Sequence, residues 1–596
     1  MQFDWQTYTE QLAQAVEAEI QFQYEEEKKQ AVLPLNELRK LGLVLSPVTI
    51  KQQVATDEGE TIVFQTSYPI NDAYFKKGCQ VAISVDNKLL KGRLVELEAQ
   101  NGSIFLTEEL PDDVKTIAVH YIPDDRTLTA MRLGVKIVKE HPQIDVFRSD
   151  FELTENATAF LHASLNESQQ NVVGAILSDK QTTVIQGPPG TGKSHTLAIA
   201  IQEIIKRDKK VIIAAPSNTA VDQLCLKLIS LGTPVLRIGN ETKFDERLLA
   251  YTIDGYLEKG SQAKVLAHLE KSLQQASHIA NKHSRSFSKE LAEEKRNARN
   301  ELRQLRKEIR QIKRATILSL LENVPIIAGT PVALFNELPK DFVTDYVIID
   351  EAGQALAPLA WLCASFGKQF VLCGDPQQLP PVVFSEKAKR LGLGMSLLEQ
   401  VTQLSPPLLL NTQYRMAPAI VDLINPYFYN NQLQTPSTLS EGTIRFIDLA
   451  GFGEGETRNE LSGSISNSSA VSVIQQLLLV DRFDPKETII LSPYSAQIAA
   501  LKTVLGPTWN VATIDAVQGS EMENIVICFT RSNEEQEIGF LKDYRRTNVA
   551  ISRAKKKCYL IGDSATIGGD KFYSELIRHF ENSNNYESVW ERFSDY

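Results

Sequence analysis

The stretch GPPGTGKS at 187–194 constrains this chain more than any other. It fits G-x-x-x-x-G-K-[ST], and it stands between an apolar strand-like run, TTVIQ, and an apolar helical run, HTLAIAIQEII, which is the setting the pattern requires. Gly187, Gly190 and Gly192 let the backbone through Pro188, Pro189 and Thr191 wrap phosphate oxygens, and the following helix directs its positive end at them. Lys193 is placed to reach β and γ phosphates and Ser194 to ligate Mg²⁺. Such a loop belongs at the carboxyl end of a strand in a parallel, doubly wound sheet.

A phosphate-bound Mg²⁺ needs further oxygen ligands, and an attacking water must be oriented. YVIIDEAGQ meets both needs: four apolar strand residues lead into Asp350, which would hold Mg²⁺ through its water shell, and Glu351, which would polarise the water. An acidic pair at a strand end is also a common surface feature, and the preceding phosphate loop is what favours the chemical reading. The next strand runs into VLCGDPQQLPP, where Gln378 is placed to sense a γ phosphate or position water; a proline-stiffened loop is the plain reading, and both can hold. Farther on, NTQYRMAPAI leaves Tyr414 and Arg415 open between packed core and the second half of a nucleotide site.

The rest of the chain is read around these landmarks. At 596 residues, a prior of about 150 per domain suggests roughly four. Trp5, Tyr8, Leu12, Val16 and Ile20 recur at helical spacing, which makes 1–34 a stalk helix. Short alternating segments such as TIVFQTSYPI and SIFLTEEL make 35–125 a small β-barrel or meander, and TLTAMRLGVKIVKEH places the return of the stalk in 126–159. Strand–helix alternation assigns 160–242 with 319–390 to one parallel α/β domain and 391–596 to a second, giving the α/β class overall. Between the two parts of the first domain, 243–318 is a helical insertion. Leu266, Leu269, Leu273 and Ala276 face Ala298, Leu302, Leu305, Ile309 and Ile312 as an antiparallel hairpin. Its second helix is basic, from Lys295 and Arg296 through Arg299, Arg303 and Arg306 to Arg314, either as a solvated face or as a phosphate-contacting one.

Composition excludes little more. Hydrophobic residues at 43% and charged residues at 23% allow real cores. No apolar run of about 18 residues is present and the N-terminus is polar, so no membrane partner and a cytoplasmic, soluble protein are expected. The six cysteines form no C-x-x-C pair, which predicts reduced, buried thiols. A net charge of -11 is an average, and strand binding depends on charge on one face.

Taken in order, LNESQ, GPPGTGKS, APSNTAVDQL, DEAGQA, GDPQQLPP, QYRMAP, TIDAVQGSE and RRTNVAISRAKK resemble the signature motifs of a superfamily 1B helicase. More narrowly, the chain resembles the up-frameshift group, and within it the immunoglobulin-mu-binding type. The resemblance implies two RecA-like domains in tandem, with a barrel on a helical stalk inserted in the first, and a cleft that uses ATP and Mg²⁺. It implies that Gln169 reads the adenine edge, Tyr414 packs on the base or ribose, and Glu521 lies near the ribose. Arg415 and Arg553 would be the two arginine fingers and Gln378 the coupling glutamine, with Lys193, Asp350 and Glu351 completing catalysis.

On the nucleic-acid side, the resemblance implies contacts from Ser217, Asn218, Thr219 and Thr330 in the first domain and from Pro493, Tyr494, Thr513 and Asp515 in the second. Small hydroxyls and backbone amides hold phosphates without reading sequence, as a translocase requires. For Tyr494 a packed core position is the default and base stacking the alternative. The run Lys555 to Lys557 reads as a solvated charged turn. Ala470 stands where relatives carry a glutamate in N-x-x-E, which puts that contact in doubt. The start and end of the chain predict no Cys/His-rich regulatory domain and no appended zinc-finger or nuclease module. The expected partners are single-stranded or tailed DNA or RNA, with the chain a monomer. Two activities stay open: a 5′ to 3′ helicase or translocase, and an ATP-gated clamp or ribonucleoprotein-remodelling scaffold that hydrolyses ATP without separating strands.

Overall fold

Buried β-branched runs interleaved with helices produce two parallel sheets, and a region of period-two alternation closes separately into a barrel. The computed structural model describes residues 4–31, 33–55, 59–68, 70, 74–85, 88–98, 100–108, 110, 114–122, 125–140, 160–178, 180–281, 289–459, 463–517 and 519–593. The barrel comprises β1 (Val44–Ala55), β2 (Glu60–Thr66), β3 (Gln80–Val85), β4 (Lys88–Glu98), β5 (Asn101–Leu106) and β6 (Thr116–Tyr121), closed in the order β1-β2-β5-β4-β3-β6 with antiparallel pairs. Alternate residues of β2 point inward, so Ile62 and Phe64 join Leu94 and Ile104 in the barrel core.

The stalk comprises helices Trp5–Ala31 and Arg126–Glu140, whose apolar stripes pack on helix Ala357–Ala364. Trp5 meets Trp361 edge to face at 5.4 Å, and Trp361 Nε1 donates to Tyr8 Oη at 3.1 Å. The helices approach so closely that a Cβ on Gly134 would lie 1.9 Å from the Pro358 carbonyl oxygen. Buried Glu19 accepts from the backbone N–H groups of Phe384 and Ser385 at 3.1 and 2.8 Å, which ties the stalk to the loop that follows Gln378.

The first sheet contains β7 (Thr182–Gln186), β8 (Val211–Ala214), β9 (Leu236–Arg237), β10 (Ile326–Gly329), β11 (Thr344–Ile349), β12 (Gly367–Gly374) and β13 (Leu408–Leu409). Their order is β13-β7-β12-β11-β8-β10-β9, all parallel. In the second half, β15 (Thr457–Arg458) and β16 (Ile465–Ser466) form a short ribbon. The second sheet, also parallel, runs β18 (Asn510–Thr513), β17 (Thr488–Ser492), β19 (Met522–Cys528), β20 (Ala554–Gly562), β14 (Thr443–Asp448), β21 (Tyr586–Ser588). The α/β class with tandem parallel sheets and an inserted barrel is therefore borne out.

The hand-over between halves, expected after 390, falls later. Leu393, Leu397, Leu398 and Val401 pack in the first core and β13 pairs with β7, so the chain leaves the first sheet at about Leu410. The hairpin is made by helices Ala263–Asn281 and Lys289–Asn323, with Leu266, Leu269, Leu273, Ala276, Ala298, Leu302 and Ile309 buried together. Arg296, Arg299 and Arg303 are exposed on its outer side. Leu248 packs in the first core, so that core continues past 242 before the hairpin begins. The six cysteines are free, five of them buried and Cys79 half-buried. Among the described residues no helix is long and apolar enough to cross a membrane.

Candidate functional site

The site is assembled at the carboxyl ends of β7, β12 and β11, which lie side by side. Register sets Gln186 beside Gly374, and Ile349 beside Leu372 on one flank and Ala214 on the other. Gly187, Asp375 and Asp350 therefore emerge at one edge, where open α/β sheets bind ligands. Gly187 N donates to Gly374 O at 2.8 Å and Asp350 N to Ala214 O at 2.9 Å, fixing both turns.

The phosphate loop is shaped by close approaches. A Cβ on Gly187 would sit 2.2 Å from Lys193 Cγ, so glycine there lets the lysine fold back and donate to the Gly187 carbonyl oxygen at 2.7 Å. Gly190 is left-handed, with φ of 75°, and a Cβ on it would lie 2.6 Å from Arg415 Cβ. Helix Lys193–Lys206 starts at Gly192, with its N-terminus toward the cavity.

Asp350 is buried and accepts from Glu351 N at 2.9 Å. Burial first, and then the charge of Glu351, push its carboxyl well above the usual range, with Lys193 opposing. A cation beside it would offset both causes. Ser194 and Asp350 are oxygen donors of the kind Mg²⁺ takes, and that ion needs few protein ligands because phosphates and waters complete its shell. Among the described residues no cluster of three or more His, Cys, Asp or Glu side chains could hold a metal. Glu351 holds a left-handed backbone, with φ of 52°, which is uncommon for a residue other than glycine. One of its oxygens accepts from Gln354 at 3.1 Å, and the other lies 3.9 Å from Lys193 Nζ.

Tyr414 and Arg415 reach this loop from the segment that opens the second half. Buried Gln413 braces them: its Oε1 accepts from the N–H groups of Arg415 and Met416 at 2.9 and 2.7 Å, and its Nε2 donates to Met416 O and Thr435 Oγ1. Tyr414 N donates to Gly190 O at 2.8 Å, and its ring is 48% exposed, so neither residue is core. Arg415 Nε donates to Glu521 at 2.6 Å, and Lys555 reaches the same carboxylate at 2.9 Å. Against the burial that opposes them, Lys555 and Arg415 hold Glu521 below the usual range. Arg553 is buried, donating to Val549 O and Ser520 O at 3.1 Å each. Burial and the adjacent Arg415 charge lower it to about 10, so the two guanidiniums repel one another across space an anion would relieve.

The phosphate loop, Glu351, Gln378, Tyr414, Arg415, Glu521 and Arg553 line one cavity of about 630 Å³. Two expectations change here. Gln169 is buried and its amide is engaged within the protein: Oε1 accepts from Asn166 N at 3.0 Å in a capping box, and Nε2 donates to Thr191 O at 3.0 Å. It braces the loop rather than facing the cavity. Lys555 and Lys556 lie on β20 and line the cavity, paired with Glu521 and Glu523, so they are strand residues rather than a turn, with Lys556 exposed as expected; Lys557 sits 5.2 Å over the Phe483 ring.

A second cavity of about 1120 Å³ runs between the halves and the barrel, lined in part by Ser217, Asn218, Thr330, Asp515, Arg93, Arg545 and Arg546. Ser217 and Thr330 are N-caps, accepting from Ala220 N and Ala333 N, so two helix starts face the cavity. Asp515 pairs with Arg546 at 3.5 Å. Thr219 is exposed beside this cavity's rim residues, and Pro493 and Thr513 stand at the ends of neighbouring β17 and β18; none of the three lines it. Tyr494 is 3% exposed and lies against Phe540 at 5.4 Å, its hydroxyl accepting from Phe540 N and Arg531. The packed-core reading therefore holds for Tyr494, and Phe540, 58% exposed, covers it with the Arg546 guanidinium 5.8 Å over its ring.

Several contributing residues lie beside those the motifs single out. Arg237 is fully buried and its Nη2 donates to Asn218 Oδ1 at 2.9 Å. Asn166 Nδ2 donates to Tyr414 Oη at 2.9 Å, and His195 lines the first cavity. Asn467 caps helix Ser468–Val480 by accepting from Ala470 N at 2.9 Å, and Ala470 itself is buried.

Comparison with known proteins agrees with this geometry. Family models described as AAA domains match residues 164–386 and 393–565. The DNA-binding protein SMUBP-2 of Rattus norvegicus is 30% identical over 466 residues, covering 73% of this chain and 46% of the relative. A regulator of nonsense transcripts 1 homolog of Arabidopsis thaliana is 31% identical over 448 residues, covering 70% and 34%. An uncharacterized ATP-dependent helicase of Methanocaldococcus jannaschii is 28% identical over 499 residues, covering 74% and 73%. The chain thus spans less than half the length of the first two of these relatives.

Proposed function

This chain belongs to the up-frameshift group of superfamily 1B helicases, and from that premise we propose that it is an ATP-dependent helicase or translocase on single-stranded or tailed DNA or RNA. The observation that carries the reading is the reach of the second half into the phosphate loop: Tyr414 bonds Gly190, and Arg415 and Arg553 share the loop's cavity. A site completed across a cleft makes hydrolysis depend on how the halves sit, which is what a motor needs.

In this reading the phosphate loop and Lys193 cradle the polyphosphate, and Tyr414 covers the base or ribose side. Ser194 and Asp350 would hold Mg²⁺, which when bound neutralises charge on the phosphates. Glu351 orients the attacking water and accepts its proton. Arg415 leaves Glu521 for the γ phosphate, and the strained repulsion with Arg553 is relieved as the anion arrives. After hydrolysis the shared phosphate is gone and the halves part. Ser217, Asn218, Thr330 and Asp515 track the strand in the larger cavity, and the movement we assign, on the resemblance, is 5′ to 3′. Separating a duplex costs about 1.4 kcal/mol per base-pair step, a modest barrier for each step.

Strand displacement on duplexes with 5′ or 3′ tails, made of DNA and of RNA, tests the proposal. The expected result is ATP-dependent displacement from 5′-tailed substrates and none with Glu351→Gln, which keeps the site's shape but removes the base. Strand-stimulated hydrolysis without displacement from any tail would establish the clamp instead.

A further inference from the structure

The carboxyl edge of the first sheet holds a buried polar network joined through Tyr429, a residue outside the motifs. Tyr429 follows the short helix Asn425–Phe428 and is 3% exposed within the core of the second half. Its phenol faces across the cleft, donating to Asp375 Oδ2 at 2.8 Å and accepting from Asn548 Nδ2 at 2.9 Å. Burial, and next the Asp375 charge, hold the phenol well above its ordinary pKa, so the proton stays on the donor.

Each partner is tied to a different part of the machinery. Asp375 Oδ2 also accepts from Gln378 Nε2 at 3.2 Å, and Oδ1 accepts from Gln377 N at 3.1 Å and from Gln186 Nε2 at 3.3 Å, one residue before the phosphate loop. Asn548 donates a second bond to Gln377 O at 2.8 Å and lies on helix Tyr544–Ile551, against whose Val549 carbonyl Arg553 is anchored. Asn548 Oδ1 is buried with no partner in this arrangement among the described residues. An orphaned buried acceptor is unusual in a native interior and fits a network that a second arrangement completes.

We propose that Tyr429 is a positioning residue that couples the two halves, holding Asp375 in place while Gln378 exchanges its carboxylate bond for the γ phosphate. This rests on the proposed ATP-driven function. With Tyr429, Gln186 and the Gln377 amide still on Asp375, the departure of Gln378 leaves no carboxylate oxygen bare. Without the hydroxyl, Oδ2 has Gln378 as its sole partner here, and the amide is held back. The same hydroxyl keeps the helix behind Arg553 in step with the loop that carries Gln378.

Tyr429→Phe removes one oxygen and keeps the ring, so the core stays filled. The expected result is an about tenfold fall in strand-stimulated kcat, the loss of one charge-assisted hydrogen bond, with KM for ATP within about twofold. In a Gln378→Ala background the same substitution should cost nothing further, because both act through one carboxylate. A kcat within about twofold of wild type, or full additivity with Gln378→Ala, overturns the proposal. Wild-type protein without strand-stimulated hydrolysis would instead overturn the proposed function. Tyr429 is then decided by binding: affinity for ADP–beryllium fluoride about tenfold lower in Tyr429→Phe with ADP unchanged supports it, and equal ratios overturn it.

Discussion

Arg415→Ala is expected to lower strand-stimulated hydrolysis by about 10³ or more while ATP still binds and the protein stays folded, since a finger on the γ phosphate is worth about 10³ to 10⁵. The folded state tolerates the change for a specific reason. Arg415 is 17% exposed and its main partner, Glu521, keeps Lys555 at 2.9 Å, so no buried carboxylate is stranded. A partly exposed pair of this kind is worth about 0 to 1 kcal/mol. The backbone of the segment is held separately, by the Gln413 side chain and by the Tyr414 bond to Gly190. Fluorescent-nucleotide binding, steady-state hydrolysis with and without strand, and a melting curve separate the outcomes. A lost second-half transition would make Arg415 structural, and retained hydrolysis would remove it from the site.

Arg237→Met is expected to do the opposite, destabilising the first half by about 3 to 5 kcal/mol, the usual effect of breaking a buried ion pair from one side. Arg237 is 0% exposed; Nε donates to Asp222 at 2.8 Å, Nη1 to Ile238 O at 2.8 Å and Nη2 to Asn218 at 2.9 Å, and its guanidinium stacks 3.9 Å from the Phe244 ring centre. Methionine fills most of the volume but leaves Asp222 with the Asp245 N–H at 2.9 Å as its remaining partner here. For a domain of this size the first thermal transition should fall by about 6 to 20 °C. Arg237→Met with Asp222→Leu should recover part of the loss, because an apolar pair replaces an ionic one without stranding a charge. A shift under about 2 °C for the single change, or a double variant no better than the single, would contradict this account. Asn218 also loses its anchor, so weaker strand binding should accompany the loss.

What could be read in advance follows from the range of each interaction. The phosphate loop was legible because its glycines, lysine and serine are consecutive and the flanking strand and helix are apolar. The hairpin was legible because Leu266 to Ala276 and Ala298 to Ile309 obey a helical period. The hand-over near Leu410 was not, because α/β texture is the same on either side of it and only pairing of β13 with β7 shows which sheet owns the segment. Tyr494 is drawn into the core by a contact with Phe540, 46 residues away in sequence, which no local pattern encodes. At Gln169 a capping box and a base-reading amide use the same residue at the same spacing, and only the structure shows its amide bonded to Asn166 N and Thr191 O. Arg237 and Tyr429 look like ordinary surface and core residues in sequence, and acquire meaning through partners 15 to 119 positions away.

The central claim is that ATP hydrolysis across the cleft moves the protein along a strand. Its most direct measurement is the arrival time at a fluorophore on the 3′ end of single strands of increasing length, started by adding ATP to preformed complexes. The predicted result is an arrival time that grows linearly with length, and no such signal for a fluorophore on the 5′ end. An arrival time independent of length, with ATP still hydrolysed, would contradict it.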